Sequence, residues 1–251
     1  MGSGCGAPTG PEARWSTAHD EAARCYGGDP LHGFERMPVA DVAEGVSASF
    51  DVQGYFYAWR DMGLWPAINE VLVGWARVLE FRAVSPTAGV IDSQSIKTTE
   101  SGGVSGFDAG KKIKGRKRHI MTDTLGLMLA AVVHSAAIQD RDGAPLVFKA
   151  TALRFPTVRH VFADGGYAGG KLREALKPIG AFSVEIIRRC DTAQGFVLLP
   201  RRWVVERTLA WLGRCRRLAK DWERSLESST AWTFVASIRM LTRRIAALGF
   251  A

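Results

Sequence analysis

The sequence predicts an α/β protein in which a mixed sheet carries helices on both faces. From residue 89 onward, segments with strand character alternate with amphipathic segments in the order strand, strand, strand, helix, strand, helix, strand, helix. The turn sequence DTLG at residues 123–126 joins the second and third strands and indicates a hairpin. The later strands are separated by helices, which favours parallel pairing. A hairpin combined with parallel strands gives a mixed sheet.

The first part of the chain differs in composition from the rest. Residues 1–49 are rich in Gly, Ala and Pro and contain no isoleucine, which predicts a poorly ordered tail. Residues 50–84 contain two short amphipathic patterns separated by Gly63, which predict a pair of helices. Such a pair is either a DNA-reading helix-turn-helix or, more commonly, plain helix packing. The linker Ser85-Pro86-Thr87 then opens a third region, residues 85–251.

The third region supplies the strands and helices of the predicted sheet. The predicted strands are residues 89–92, 118–122, 127–134, 158–163 and 184–187. Between the first two, the glycine-rich residues 98–115 are predicted to form turns. Residues 142–153 and 170–176 are predicted helices, with Asp140 and Asp142 as N-cap residues of the first. Ser228 or Ser229 is predicted to cap the last helix, which is amphipathic.

Residues 200–222 predict a helix that is unusually rich in cations. Pro200 suits its first position, since proline lacks the N–H that is unused there. An apolar stripe recurs at steps of three and four residues: Val204, Thr208, Trp211, Cys215, Leu218 and Trp222. The other faces carry seven Arg and Lys residues, with Glu206 as an early acid. Glu206 is either half of a surface ion pair with Arg202 or a metal ligand.

The positive charge of the protein is concentrated in two stretches. The chain of 251 residues has a formal net charge of +8, yet residues 111–118 alone hold six cations and no acid. Their members are Lys111, Lys112, Lys114, Arg116, Lys117 and Arg118. Residues 200–222 form the second stretch. Concentrated basicity favours a polyanionic partner, and two such stretches favour nucleic acid.

Three carboxylates are placed where a metal site could form. Asp92 and Asp164 each end a predicted strand, and ligands of open α/β sheets bind beyond the carboxyl ends of strands. Glu206 on the basic helix can supply the third. Three converging carboxylates repel one another unless a cation neutralises them, and hard oxygen ligands select Mg²⁺ or Mn²⁺. Two such ions would support phosphoryl transfer.

The sequence also excludes several functional classes. No apolar run reaches the ~18–20 residues that span a bilayer, and the N-terminus lacks the apolar core of a secretory signal. The four cysteines form no CxxC pair and have no histidine at zinc-ligand spacing. His119, His134 and His160 lie in or beside predicted strands, where structural roles are favoured over catalysis. We therefore expect a soluble cytoplasmic protein with reduced thiols.

Four segments together resemble a known family. They are residues 90–97 (VIDSQSIK), 110–119 (GKKIKGRKRH), 161–167 (VFADGGY) and 201–217 (RRWVVERTLAWLGRCRR). In these segments the chain resembles the insertion-sequence-five family of bacterial DDE transposases. The resemblance implies a ribonuclease-H-like fold in residues 85–251, with Asp92, Asp164 and Glu206 as the acidic triad. Residues 50–84 would then be a remnant of a longer helical region.

The resemblance also has two departures. The family has a tyrosine where Leu199 stands, and a basic residue where Gly213 stands, with Arg214 one position later. In addition, residues 1–49 match nothing in the family pattern. These departures affect the auxiliary residues around Glu206 and the recognition of element ends.

The expected function is DNA transposition. The protein would cleave double-stranded DNA at the ends of a mobile element and join it to target DNA, using two Mg²⁺ (or Mn²⁺) ions held by the triad. It would act as a homo-oligomer on DNA in the bacterial cytoplasm, at the nucleoid. The alternatives are a truncated or decayed transposase that binds DNA without cutting, and a ribonuclease-H-like nuclease.

Further residues are expected to contact DNA in addition to the triad. They are Lys97, Lys111, Lys112, Lys114, Arg116, Lys117, Arg118, Tyr167, Arg202, Arg207 and Arg214. For two of them a second interpretation stands beside this one. Tyr167 could instead pack in the interior, and Lys97 could simply be solvated.

Overall fold

A computed structural model of the chain describes residues 49–100, 102–187 and 201–249. The predicted tail, up to residue 48, lies outside these ranges, as do Leu199 and the predicted helix start at Pro200. The helices are α1 (Ser49–Asp61), α2 (Leu64–Leu79), α3 (Asp140–Arg154), α4 (Gly170–Leu176), α5 (Arg202–Gly213) and α6 (Leu226–Gly249). The strands are β1 (Ala88–Lys97), β2 (Gly106–Asp108), β3 (Ile113–Asp123), β4 (Met128–Ser135), β5 (His160–Ala163) and β6 (Ser183–Ile186).

The strands form one mixed sheet, as predicted. Its order is β2-β3-β1-β5-β6, and β4 pairs with β3 on the same side as β2. β1 is antiparallel to β3 but parallel to β5, and β5 is parallel to β6. The turn between β3 and β4 is held by Asp123, whose Oδ1 accepts hydrogen bonds from the backbone N–H groups of Leu125 and Leu127 at 2.9 Å. Asp123 is in turn paired with the buried side chain of Arg77 on α2.

The two faces of the sheet bury separate apolar clusters, since successive strand residues point to opposite faces. On one face, Ile91 and Met121 pack in a cluster with buried residues of α2, α3, α4 and the end of α6. On the other, Val90 and Ile120 pack with buried residues of α5 and the first half of α6. The prediction of helices on both faces is confirmed. Asp92 shares the face of Val90, and so it points toward α5.

The central strands are longer than predicted. β1 continues five residues beyond Asp92, and β3 begins at Ile113 inside the segment predicted to form turns. The two strands pair continuously from Gly89 opposite Asp123 to Lys97 opposite Gly115. The serine, glutamine and lysine residues in these stretches resemble loop composition, but their backbone groups pair between the two strands. Asp92 therefore lies within a strand rather than at its end.

The basic helix is shorter than predicted. α5 ends at Gly213, and a 3₁₀ turn at Arg216–Leu218 follows. Val204, Thr208 and Leu218 of the predicted apolar stripe are buried, but Trp211 and Trp222 are exposed. A glycine in a helix costs about 1 kcal/mol relative to alanine, which favours an end there.

The other predicted helix boundaries shift by a few residues. Asp140 and Asp142 lie inside the first turn of α3, and α6 begins at Leu226, so Ser228 and Ser229 are buried inside it. α2 is built into the core, since Asn69 donates to the Met128 carbonyl at 2.7 Å and accepts from Ser237 at 2.7 Å. This packing favours the structural interpretation of the α1–α2 pair. Among the helices in the described ranges, none is long and apolar enough to cross a membrane.

Candidate active site

Asp92 and Asp164 lie on adjacent parallel strands. Val90 of β1 is paired with Phe162 of β5, and each aspartate stands two residues further along its chain. Asp164 follows the end of β5 and starts a 3₁₀ turn, its Oδ1 accepting from the N–H of Gly166 at 2.8 Å. The two acids therefore lie side by side on adjacent strands in the middle of the sheet. Only Asp164 follows the end of its strand.

The electrostatics of these two acids favour an added positive charge. The pKa of Asp92 is raised to about 6, chiefly by burial and also by the negative charge of Asp164. The N–H of Ser93 and the charges of Arg202 and Lys111 oppose that rise. A half-buried carboxylate beside a second carboxylate gains most from a nearby cation.

Arg202 connects Asp164 with Glu206. Its Nη2 lies 3.0 Å from Glu206 Oε1 and 3.5 Å from Asp164 Oδ2. Arg202 and Glu206 belong to the first turns of α5, which packs across β1 and β3. The surface ion pair between Arg202 and Glu206 is therefore present. Through Arg202, Glu206 is also linked to Asp164.

The three carboxylates fit a hard divalent cation by their chemistry. Asp92, Asp164 and Glu206 offer oxygen donors alone, and Arg202 already places positive charge among them. Their side chains are not gathered into a finished ligand cluster: the described ranges contain no group of three or more His, Cys, Asp or Glu side chains in metal-binding arrangement. Metal binding here would require Glu206 to exchange Arg202 for the ion.

The opposite side of β1 is supported by a buried polar network. Ser93 Oγ donates to Asp140 Oδ1 at 2.7 Å, and Lys117 Nζ lies 2.8 Å from the same oxygen. Lys111 Nζ donates to the Ser93 carbonyl at 3.0 Å. These contacts fix the backbone next to Asp92. Sequence reasoning missed Ser93, and its position directly after Asp92 was the available signal.

Tyr167 belongs to this interior and not to a DNA-contacting surface. It is 1% exposed, and its hydroxyl lies 2.7 Å from Nε2 of His119. Burial raises its pKa well above the ordinary value, as do the charges of Asp92, Asp140 and Asp164. The predicted DNA contact is wrong for this residue, and the packing alternative holds. Tyr167 ties the turn after Asp164 to β3.

The basic stretch on β3 is largely internal. Arg116, Lys117 and Arg118 are 0%, 3% and 1% exposed, so their prediction as DNA contacts is wrong. Arg116 pairs with Asp221 at 3.1 Å, and Lys117 pairs with Asp140. Arg118 donates to the Leu218 carbonyl at 2.7 Å, and burial lowers its pKa to about 10. These three side chains are buried because β3 is a central strand and is covered on both faces.

The remaining predicted DNA contacts lie at the surface to different degrees. Lys97, Lys111, Lys112, Lys114 and Arg214 are exposed, although the Lys111 side chain is held by Ser93. Arg207 is half-buried between two aromatic rings, with its guanidinium carbon 4.5 Å from the centre of Trp203 and 4.7 Å from that of Trp211. For the exposed residues, DNA contact stays a prediction. Arg207 packs between the two rings and so has a structural role.

The fold and the site together define a class. A mixed sheet with flanking helices, whose central strand carries an acid beside a second acid on the adjacent parallel strand, fits the ribonuclease-H-like fold. The transposase DDE domain family matches residues 84–241, and the chain belongs to this family. Members of this family are in general metal-dependent enzymes that cleave nucleic acid. The resemblance seen in the sequence is confirmed.

A curated relative agrees with this assignment. The chain is 38% identical over 117 residues to a putative transposase for insertion sequence element IS402 from Burkholderia cepacia. The match covers 44% of this chain and 54% of the relative. The chain therefore spans about half the length of that relative.

Proposed function

We propose that the protein cleaves double-stranded DNA at the ends of a mobile element and joins the freed 3′-hydroxyl to target DNA. The observation that carries this proposal is the placement of Asp92 and Asp164 on adjacent parallel strands, with Arg202 linking Asp164 to Glu206, in a chain of the DDE family. Both steps are in-line displacements at phosphorus. They differ in the nucleophile, which is water in the first and a DNA hydroxyl in the second.

The three carboxylates would hold Mg²⁺ or Mn²⁺, and two ions suit the reaction class. When bound, such ions activate the attacking oxygen and stabilise the leaving one. The chain's own residues prepare the site. Lys111 and the Asp140 contact fix Ser93 and hence the backbone at Asp92. Arg202 holds Glu206 near the aspartates, and a guanidinium there can also bind a DNA phosphate.

Around this site, DNA binding would depend on exposed cations. Lys97, Lys112, Lys114 and Arg214 are exposed, and phosphate contacts by such residues give salt-dependent affinity. Synapsis of two element ends would require more than one copy, so we place the active form as a homo-oligomer on DNA. Its site of action would be the bacterial cytoplasm, at the nucleoid.

The proposal is tested by removing one carboxylate charge at a time. Asp92→Asn, Asp164→Asn and Glu206→Gln should each abolish Mg²⁺-dependent nicking and strand transfer on DNA carrying the element ends, while DNA affinity stays within a few-fold. Asp142→Asn is the matched control, since this acid pairs with Lys171 on α4 and takes no part in the site. Full activity in any triad variant would remove that residue from the mechanism. Salt-dependent binding without nicking by the parent protein would support the non-cutting alternative.

The same Asp92 variant carries its own control for folding. The pKa of Asp92 is raised from 3.8 to about 6, so its charge costs stability, and the cost grows as pH rises from about 4 to above 6. At pH 7.5, Asp92→Asn should therefore increase the free energy of unfolding by up to about 3 kcal/mol, with a much smaller change at pH 4. A variant that is inactive yet more stable excludes unfolding as the cause of inactivity.

A further inference from the structure

An exposed tryptophan lies at the far end of β1 from Asp92. Trp222, with 46% of its surface exposed, sits between the 3₁₀ turn and α6. The preceding residue pairs with the end of β1: the N–H of Asp221 donates to the Lys97 carbonyl at 2.9 Å, and its carbonyl accepts from Thr99 at 3.1 Å. The tryptophan is therefore attached to the same strand that carries Asp92.

The backbone on both sides of Trp222 is fixed by buried groups. Asp221, which is 2% exposed, accepts from Arg116 at 3.1 Å and from the Ser229 hydroxyl at 2.5 Å. Arg116 also donates to the carbonyls of Glu223 and Arg224 at 2.7 and 2.8 Å. These bonds hold the backbone on both sides of Trp222, and the ring is exposed to solvent from a fixed position.

The surroundings of the ring are cationic. Lys97, Lys114 and Lys220 line a shallow groove with Trp222, and Lys220 Nζ lies 5.9 Å from the ring centre. In the described part of the chain these three lysines form no ion pair with a carboxylate, and Glu100 is the acid that shares the groove. Three lysines and one glutamate leave a net positive charge beside a flat aromatic face. This combination matches the chemistry of single-stranded nucleic acid binding, in which bases stack on aromatic rings and cations follow the backbone.

We propose that Trp222 stacks an unpaired DNA base while Lys97, Lys114 and Lys220 bind the adjacent phosphates. Lys97 lies five positions after Asp92, about 16 Å further along β1. A few nucleotides span that distance. The inference rests on the proposed DNA chemistry and adds a preference for locally unpaired DNA. A protein partner fits less well, because a single ring surrounded by lysines lacks the contiguous apolar area of a protein interface.

The experiment compares two DNA probes of equal length and sequence in buffer without divalent metal. One is fully paired, and the other carries a short mismatched segment near one end. The full-length parent should bind the mismatched probe more tightly. Because stacking on an aromatic ring is worth about 1–3 kcal/mol per base, Trp222→Ala should lose roughly 5- to 150-fold of affinity for the mismatched probe. Its affinity for the paired probe should stay within about twofold.

Variants that keep or remove related features make the test specific. Trp222→Phe should retain most of the preference, since it keeps an aromatic face. Leu153→Ala removes another exposed apolar side chain, on α3, and should bind both probes like the parent. Lys220→Ala should weaken binding of both probes and lower the salt dependence by about one ion.

Several results would overturn the inference. They are equal affinity of the parent for the two probes, an unchanged preference in Trp222→Ala, and a change of oligomeric state in that variant, which would assign the ring to a protein interface. Each can occur whether or not the parent nicks DNA. Failure of the triad experiment and failure of this one are therefore distinguishable.

Discussion

The two basic stretches of the protein have similar composition and opposite placement. Residues 111–118 supply much of the central strand β3, where three consecutive cations are buried. Residues 201–217 form α5 and the turn after it, where the arginine side chains are exposed or half-buried. The comparison teaches that charge density alone does not identify a DNA-binding surface. The number of faces that an element buries decides which cations remain free.

The difference has a direct energetic meaning. A buried cation must be paired and hydrogen-bonded, so the buried cations of β3 hold neighbouring segments of the fold together. Arg116 alone binds Val104, Asp221, Glu223 and Arg224. An exposed arginine on α5 contributes little to stability but can bind a phosphate. Each of the following experiments can strengthen or break this distinction.

The largest expected effect is a difference in stability between two variants, each of which removes one arginine from one of the two stretches. Arg116→Ala leaves Asp221 and three carbonyls without their donor and should cost about 3–5 kcal/mol of unfolding free energy. Arg214→Ala on the exposed end of α5 should change it by less than about 0.5 kcal/mol. Urea denaturation measures both. Similar values for the two variants would break the comparison.

A second test uses pH, because β3 also carries a buried histidine. Burial lowers the pKa of His119 to about 3, helped by the neighbouring His134. Since the unfolded chain takes up this proton near pH 6.5, stability is complete above that pH and falls as pH decreases toward 3. From pH 7 to 5 the His119 contribution is a loss of about 2 kcal/mol. His119→Gln should remove this part of the slope, whereas Arg214→Ala should keep the parent profile.

The smallest effect concerns DNA affinity. Lys112→Ala and Arg214→Ala, one exposed residue from each stretch, should each reduce the slope of log affinity against log salt by about 0.9. Arg118→Met should leave the slope unchanged, because its guanidinium is buried against the Leu218 carbonyl. Binding isotherms at several salt concentrations give the slopes. A lower slope for Arg118→Met would mean that β3 opens on DNA.

Much of the fold could be predicted from the sequence. Alternating apolar and polar periods gave the order of strands and helices, and the DTLG turn gave the β3–β4 hairpin. The pattern also placed Asp92 and Asp164 at strands, but only the structure shows that these strands are neighbours. What could not be predicted was the length of β1 and β3. Their polar residues look solvated in the sequence, and only their distant partners show that they are internal.

The same limit applies to the site. The i,i+4 spacing placed Arg202 and Glu206 together, because that contact is local. Arg116 and Asp221 are 105 residues apart, and no local signal links them. Tyr167 was equally open between packing and DNA contact, and its bond to His119 across 48 residues decides the question.

The bond between Arg116 and Asp221 has a consequence for incomplete copies of the protein. A chain that stops before Asp221 contains Asp92, Asp164 and Glu206, yet it leaves Arg116 in the middle of the sheet with the Val104 carbonyl but without Asp221 and the carbonyls of Glu223 and Arg224. We expect such a fragment to be strongly destabilised and therefore open to proteolysis. Copies interrupted late in the gene would then yield no competitor that occupies DNA without cutting it.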